Sequence, residues 1–305
     1  MICKFKSKLR WLFLGVTIAC SSVKALDAVT DASSKPKKYQ LSVCAVFKNE
    51  ANYLKEWIEY HRLVGVDHFY LYNCESTDTY LRELKPYLQK GIVTLVKWHD
   101  PCPDQKDCPY LWALTTQVPA YENAARYRAA KETKWLVFLN IDEFLVPMHG
   151  GRLTDVLERY EEYPGITLSS EWYEAYNVGR EPARRLVIET IELTADPHEH
   201  PQMSTSKTIF KPDLCTAFTW PPYRCAFQGN QVALELGRDE LRINRYLNRF
   251  KGFLNYGKHK EKLAVNSDEL DEKEKYQLLE MGYEIDDQER VIYQYVPEVR
   301  DRLSK

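Results

Sequence analysis

Residues 135–144 read WLVFLNIDEF, and the fold turns on that decapeptide. Its first five residues form an unbroken apolar run, as expected of a strand buried on both faces of a sheet. The run ends in two carboxylates, Asp142 and Glu143. In an α/β fold, ligands sit beyond the carboxyl edge of such strands. Acids delivered there suit a hard divalent cation that faces a phosphorylated ligand. A second reading gives both acids structural work, such as capping the segment that follows.

Working outward, strand and helix patterns alternate. LSVCAVF (41–47) reads as a strand, and residues 50–64 then place Leu54, Trp57, Ile58 and Val64 on one helical face. HFYLY (68–72) is a second strand. Leu81, Leu84 and Leu88 align on a helix that Gly91 stops. IVTLVKW (92–98) is a third strand, a helix runs from about 117 to 132, and WLVFL is the fourth strand. Leu153, Val156, Leu157 and Tyr160 mark another helix before ITLSS, a further strand. Such alternation predicts a mainly parallel α/β sheet with helices on both faces. Phe47–Glu50, Tyr72–Asp78 and Asn140–Glu143 then line one crevice. Farther on, LVIETIEL (186–193) and SKTIF (206–210) read as strands in a less regular α+β part. Residues 266–305 read as a helical extension packed on the domain.

The bulk composition restricts the partners. The 305 residues are 44% hydrophobic and 28% charged, an ordinary globular balance. Lys+Arg 42 against Asp+Glu 44 leaves a net charge of −2, so no excess marks a polyanion binder. A nucleic-acid partner is not expected.

The first 25 residues stand apart. Lys4, Lys6, Lys8 and Arg10 precede an apolar stretch from Trp11 to Cys20, and Val23-Lys24-Ala25 follows. This resembles a secretory signal peptide; the alternative is a short uncleaved membrane anchor. Either places the chain in the secretory pathway, exported or membrane-associated. Residues 26–38 read as a flexible tether, and 39–265 as the main domain. Beyond the leader, Cys102 and Cys108 bracket a polar loop, and Cys215 and Cys225 bracket a proline-rich stretch. An exported chain would permit disulfides at both places. Cys44, inside an apolar strand, reads as a buried thiol.

FKNE (47–50) followed by YLKEWIEYHRLVGVDHFYLYNCESTD (53–78) closely resembles the opening of glycosyltransferase family 92. Lys48, Asn49, Glu50, Glu56, Trp57, His61, Gly65, His68, Tyr72, Ser76 and Asp78 all fit its pattern. The likeness continues through Gln117, Ala120, Tyr121 and Asn123 to the strand ending I-D-E-F. Lys207, Ile209 and Pro212 resemble a later K-x-I-x-x-P element, and IYQYVPEVRDRL (292–303) resembles the closing helix. The resemblance implies a GT-A-type, Rossmann-like fold and inverting transfer from a UDP-sugar, often a galactose donor, to a glycan or other hydroxyl acceptor. It also implies assistance by Mn2+ or Mg2+. The donor-binding candidates are Lys48, Asn49, Glu50, Asp78, Tyr121 and Arg245, with Glu50 and Asp78 placed for uracil or ribose.

Three positions depart from that pattern. The family's metal motif is D-x-D, whereas this chain has Asn140 and Asp142 as candidate ligands. Asparagine offers an oxygen without charge, so metal affinity should fall. Asn73 replaces an acid beside Tyr72, and Arg245 stands where an N-H-Y element has histidine. An arginine beside pyrophosphate is chemically sound. Inverting transfer also needs a general base. Glu171, in SSEWYEAYNVG (169–179), is the candidate, with Glu174, Glu143 and Asp196 as competitors. Trp172 and Tyr173 are candidates for a sugar-stacking wall, while His198 and His200 read as a solvated loop. The substitutions at 140 and 245 also motivate a rival reading, a degenerate module that binds nucleotide sugar or glycan without turnover.

Overall fold

Four strands of the N-terminal half lie side by side in the order β3-β2-β1-β4, every neighbouring pair parallel. They are β1 (Tyr39–Phe47), β2 (His68–Cys74), β3 (Val93–Trp98) and β4 (Thr133–Phe138). Helices α1 (Ala51–Leu63), α2 (Tyr80–Gln89) and α3 (residues 112–132) connect them. The computed structural model describes residues 36–99, 101, 112–176, 186–189, 191–194, 206–219, 224–247 and 290–305. The leader, most of the tether, the 102–108 loop, Asp196, His198 and His200 lie outside the described residues, as do the side chains of Trp172 and Glu174. Residues Lys37–Lys305 cluster as one unit.

Strand alternation sorts the apolar side chains onto two faces. Leu41, Val43, Ala45 and Phe47 of β1 join Leu54, Trp57 and Ile58 of α1 in one core. Cys44 and Val46 point the other way, into a second core with Ala120, Tyr121, Ala124 and Ala129 of α3. Helices therefore cover both faces, as the continuous apolar strands require. Gly91 ends α2 at φ 67, a conformation that a Cβ disfavours. Helix α3 starts earlier than the sequence suggests. It carries two π-helical stretches, Ala113–Gln117 and Ala124–Ala129, around the α-helical segment Val118–Asn123. Pro119 in that segment has no N–H to donate to the preceding turn, so the ladder there must adjust.

The sheet continues from β4 through β8 (Ser206–Phe210), β6 (Gly165–Tyr176) and β12 (Leu241–Leu247) to β5 (Glu143–Pro147) at its edge. Here directions mix: β8 runs antiparallel to β4 and β6, and β12 runs parallel to β6 but antiparallel to β5. Strands β7 (Ile191–Thr194) and β11 (Leu234–Glu235) attach to β6, while β9 (Cys215–Thr219) and β10 (Arg224–Phe227) form a hairpin. The strand expected over 186–193 begins only at Ile191. Val187–Glu189 is instead a 3-10 turn, closed by Glu189 N–H on Leu186 O at 3.1 Å. Ile188 N–H bonds Glu56 Oε1 at 3.1 Å, and Leu186 N–H bonds Glu189 Oε2 at 2.9 Å.

Helix α1 holds the edge strand β5. An edge strand exposes unpaired backbone groups that must find partners. On β5 they find Trp57 Nε1, which donates to Glu143 O at 2.8 Å, and Tyr60 OH, which donates to Leu145 O at 2.9 Å. His61 Nε2 takes Leu145 N–H at 3.3 Å. The E-W-I-E-Y-H run is thus a set of side chains that bind β5 to α1. Farther along, α4 (Leu153–Glu158) and α5 (Val296–Ser304) complete the α-helices among the described residues. Helix α5 lies against α1, with Lys55 Nζ on Leu303 O at 2.9 Å.

Cys44 and Cys74 are buried thiols, and Cys215 and Cys225 are free thiols on the β9–β10 hairpin. The Cys225 S–H bonds the Cys215 sulfur, which lowers the Cys215 pKa, while burial raises that of Cys225.

Candidate functional site

Residues 140–143 form a tight turn between β4 and β5. Glu143 N–H bonds Asn140 O at 3.1 Å, and the Glu143 carboxylate reaches back to Asn140 N–H at 2.7 Å. The decapeptide that reads as one strand is therefore two. One lies inside the sheet and one at its edge, with the acid-bearing turn between them at the carboxyl end of the parallel strands.

The two acids have different surroundings. Glu143 Oε2 takes Lys207 Nζ at 2.5 Å, and the two side chains are only 2% and 7% exposed. Burial pulls the Lys207 ammonium below its ordinary pKa, and the Glu143 carboxylate opposes that shift. Asp142 is 17% exposed and faces Arg245 Nε at 3.3 Å; Arg245 is 25% exposed. The same Nε is 3.9 Å from Glu143 Oε1. Register explains the meeting, because Arg245 lies directly opposite Glu143 on the β12–β5 pair.

Asn140 is held on both sides. Its Oδ1 accepts Gln117 Nε2 at 2.9 Å, and its Nδ2 donates to Glu143 Oε1 at 3.3 Å. A carbonyl oxygen has two acceptor sites, so one remains for a ligand. Gln117 Nε2 also bonds Tyr121 OH at 3.0 Å. Tyr121 is buried and stacks on Phe138 with ring centres 4.3 Å apart. It supports the turn from beneath.

The loops after β1 and β2 are tied to each other at the same edge. Asn49 N–H bonds Ser76 Oγ at 2.9 Å, while Thr77 N–H bonds Asn49 Oδ1 at 2.8 Å. Asn49 and Glu75 take up the left-handed conformation this requires, at φ 57 and φ 54. Asp78 Oδ2 accepts Ala51 N–H at 2.8 Å, and its Oδ1 accepts Tyr80 N–H at 3.2 Å. One carboxylate thus caps the first turns of both α1 and α2. Lys48 and Glu50 are half-buried on either side of exposed Asn49. Asn73, which replaces the expected acid, uses its Oδ1 on Ser76 N–H at 3.0 Å.

Glu171 is not brought to the Asp142–Arg245 pair. In the β6–β12 register it stands opposite Asn244, while Arg245 stands opposite Trp172. Alternation therefore sends Glu171 and Arg245 to opposite faces. Its carboxylate pairs with Arg238 Nη2 at 3.4 Å. Glu143, a competing base, is buried against Lys207.

A metal ion would find few protein ligands. Among the described residues no three His, Cys, Asp or Glu side chains converge on a metal position. Asp142 is the partly exposed carboxylate of the turn, with Asn140 two residues away. Mg2+ and ions like it are commonly held by one or two carboxylates together with substrate phosphates. The donor set fits a cation shared with a diphosphate and does not fit a closed protein cage. Sequence reading missed the part played by Lys207. Its signal was available: a lysine at an interior position of the apolar strand SKTIF calls for a buried acid partner.

The model of glycosyltransferase family 92 matches residues 37–259. The chain belongs to glycosyltransferase family 92. A family 92 protein of Oryza sativa subsp. japonica is 29% identical over 131 residues, covering 43% of this chain and 20% of its own length. A family 92 protein of Arabidopsis thaliana is 24% identical over 217 residues, 66% of this chain and 34% of that protein. A galactan beta-1,4-galactosyltransferase of Arabidopsis thaliana is 31% identical over 160 residues, 50% of this chain and 30% of its own. The chain thus spans about a third or less of these family 92 relatives. Among solved structures, S. aureus TarS with UDP overlaps 68% of this chain and 60% of its own at 11% identity. The TM-score is 0.37, too loose an overlap to carry an argument.

Proposed function

We propose that this family 92 chain is a metal-assisted, inverting glycosyltransferase. It moves a hexose, galactose foremost, from a UDP-sugar to a hydroxyl of a glycan. The observation that carries the reading is the Asp142–Arg245 pair, partly exposed at the carboxyl end of parallel strands. The Arabidopsis relative named for galactan galactosyl transfer supports galactose as the sugar to try first.

In this reading Arg245 leaves Asp142 and turns to the donor diphosphate. Asp142 is then the protein's carboxylate towards Mn2+ or Mg2+, with Asn140 offering a neutral oxygen. A bound cation supplies charge neutralisation of the leaving diphosphate. Arg245 adds fixed positive charge at the same oxygens. The acceptor hydroxyl attacks the anomeric carbon as the bond to the diphosphate oxygen breaks, with inversion. UDP departs with the bonding pair, and the hydroxyl proton passes to a general base. Glu171, on the opposite face from Arg245 and paired with Arg238, is not in reach of that hydroxyl, so the base is not assigned to it. The pinned loops carrying Lys48, Asn49 and Glu50 are assigned to the nucleoside, with Asp78 shaping them from behind.

The test is release of UDP from a panel of UDP-sugars with Mn2+, with and without a chelator. Metal-dependent release from one donor supports the transferase. A second reading is a binding module without turnover, and the commitment of Asn140 to Gln117 and Glu143 favours it. UDP-sugar binding with no UDP release across a wide acceptor panel would select the module.

We also propose export or membrane attachment through the basic–apolar leader. No described helix is long and apolar enough to cross a membrane, and the leader lies outside the described residues. Fractionation of the tagged full chain tests this; a purely cytosolic pool would contradict it.

A further inference from the structure

Two carboxylates adjacent in sequence share the 140–143 turn, and among the described residues Lys207 and Arg245 approach them. Lys207 Nζ is 2.5 Å from Glu143 Oε2, while Arg245 Nε is 3.3 Å from Asp142 Oδ2 and 3.9 Å from Glu143 Oε1. Arg245 is thus within reach of both acids. Glu143 without its lysine would be a buried carboxylate lacking its closest counter-charge. Among the described residues its nearest remaining cation is Arg245. The same carboxylate also accepts the backbone N–H and the side-chain amide of Asn140. Any swing of Glu143 towards Arg245 therefore loosens the turn on which Asp142 stands.

We propose that Lys207 is a positioning residue of the donor site: by holding Glu143 it keeps Arg245 from being drawn onto that buried acid, so that Arg245 stays at the rim to turn to the diphosphate, and it fixes the turn that presents Asp142. Lys207 comes from β8 and Glu143 from β5, strands separated in the sheet by β6 and β12. They meet because β8 also pairs with β4, whose carboxyl end leads straight into the 140–143 turn. The inference rests on the reading of this rim as a donor site, yet its first consequence, an ordered turn, is measurable without any donor.

The experiment compares wild type, Lys207→Met, Glu143→Gln and the double variant by hydrogen exchange of peptides spanning 139–144. Calorimetry of UDP with Mn2+ and thermal unfolding are run on the same proteins. Lys207→Met should raise exchange locally at 139–144 and weaken UDP binding about tenfold or more. In the double variant residue 143 no longer carries a charge that competes for Arg245, and its side-chain oxygen still accepts Asn140 N–H. UDP affinity and protection at 139–144 should both recover towards wild type, as coupled residues in a mutant cycle do. Glu143→Gln alone strands the buried lysine and should be the less stable of the two single variants or equal to the other. Unchanged exchange at 139–144 in Lys207→Met overturns the proposal, whatever UDP does. So does a double variant that regains thermal stability but binds UDP as poorly as Lys207→Met, because the lysine would then act elsewhere. If wild type binds no UDP, the donor-site reading fails, and the exchange data still decide whether Lys207 orders the turn.

Discussion

His61 Nε2 accepts the backbone N–H of Leu145 at 3.3 Å, while its Nδ1 meets Trp57 O at 2.8 Å. One nitrogen must accept and the other donate, which only a neutral ring can do. Burial lowers the pKa of His61 to about 3, against a partial rise from the Trp57 bond, and lowers that of His68 to about 4. In the unfolded chain both titrate near the ordinary value of about 6.5. Between those limits the unfolded state binds more protons, so stability is full above about pH 6.5 and falls as pH drops. Each histidine should contribute a slope of about 1.4 kcal/mol per pH unit below that point. Urea midpoints between pH 7.5 and 5 measure it. His61→Gln should be less stable at pH 7.5 and show a shallower slope; an unchanged slope would place His61 outside this linkage.

Tyr60→Phe removes the donor to Leu145 O and leaves a buried carbonyl unpaired. The expected loss is about 1–3 kcal/mol, read as a fall in the denaturation midpoint. A neutral result would mean that β5 does not depend on α1 for its edge.

Asp78 serves two helices at once, so Asp78→Ala should cost about 1–2 kcal/mol through lost caps. Thermal unfolding and UDP calorimetry on the same variant separate the possibilities. Weakened UDP binding with unaltered stability would make Asp78 a direct donor contact, against its observed use on Ala51 and Tyr80 amides.

Much of the first half was legible because local pattern and tertiary structure agree there. Runs such as LSVCAVF and WLVFL are buried on both faces. In α2 the leucine spacing was only partly right: Leu84 and Tyr87 form the buried side, while Leu81 is 54% exposed. The end of β4 was harder. NIDE looks like the tail of a strand, and the bonds between Asn140 and Glu143 turn it into a corner. β5 and β12 were invisible because their pairing is long-range: Arg245 meets Glu143 across about a hundred residues, and no short window encodes that. The candidate site was half legible. Asp142 and Arg245 do meet, and the Asn49 and Asp78 loops are pinned together. Tyr121 is buried beneath the turn, and Glu171 leaves β6 on the other face. These last two depend on register and burial, which residue type alone does not reveal.

Asn140→Asp supplies the first acid of a D-x-D pattern with Asp142, beside Gln117 as a donor. The Mn2+ concentration that half-saturates UDP binding should fall by about tenfold or more, since a charged oxygen replaces a neutral one. No change would argue that position 140 does not touch the cation.

The claim at the centre is that Asp142 and Arg245 together grip a donor diphosphate. Calorimetry of UDP, with Mn2+ present and then chelated, on wild type, Asp142→Asn and Arg245→Gln tests it most directly. A donor site requires metal-dependent UDP binding in wild type, loss of the metal dependence in Asp142→Asn, and about tenfold or more weaker binding in Arg245→Gln. UDP affinity that ignores both substitutions, or no UDP binding by the wild-type chain, would contradict it.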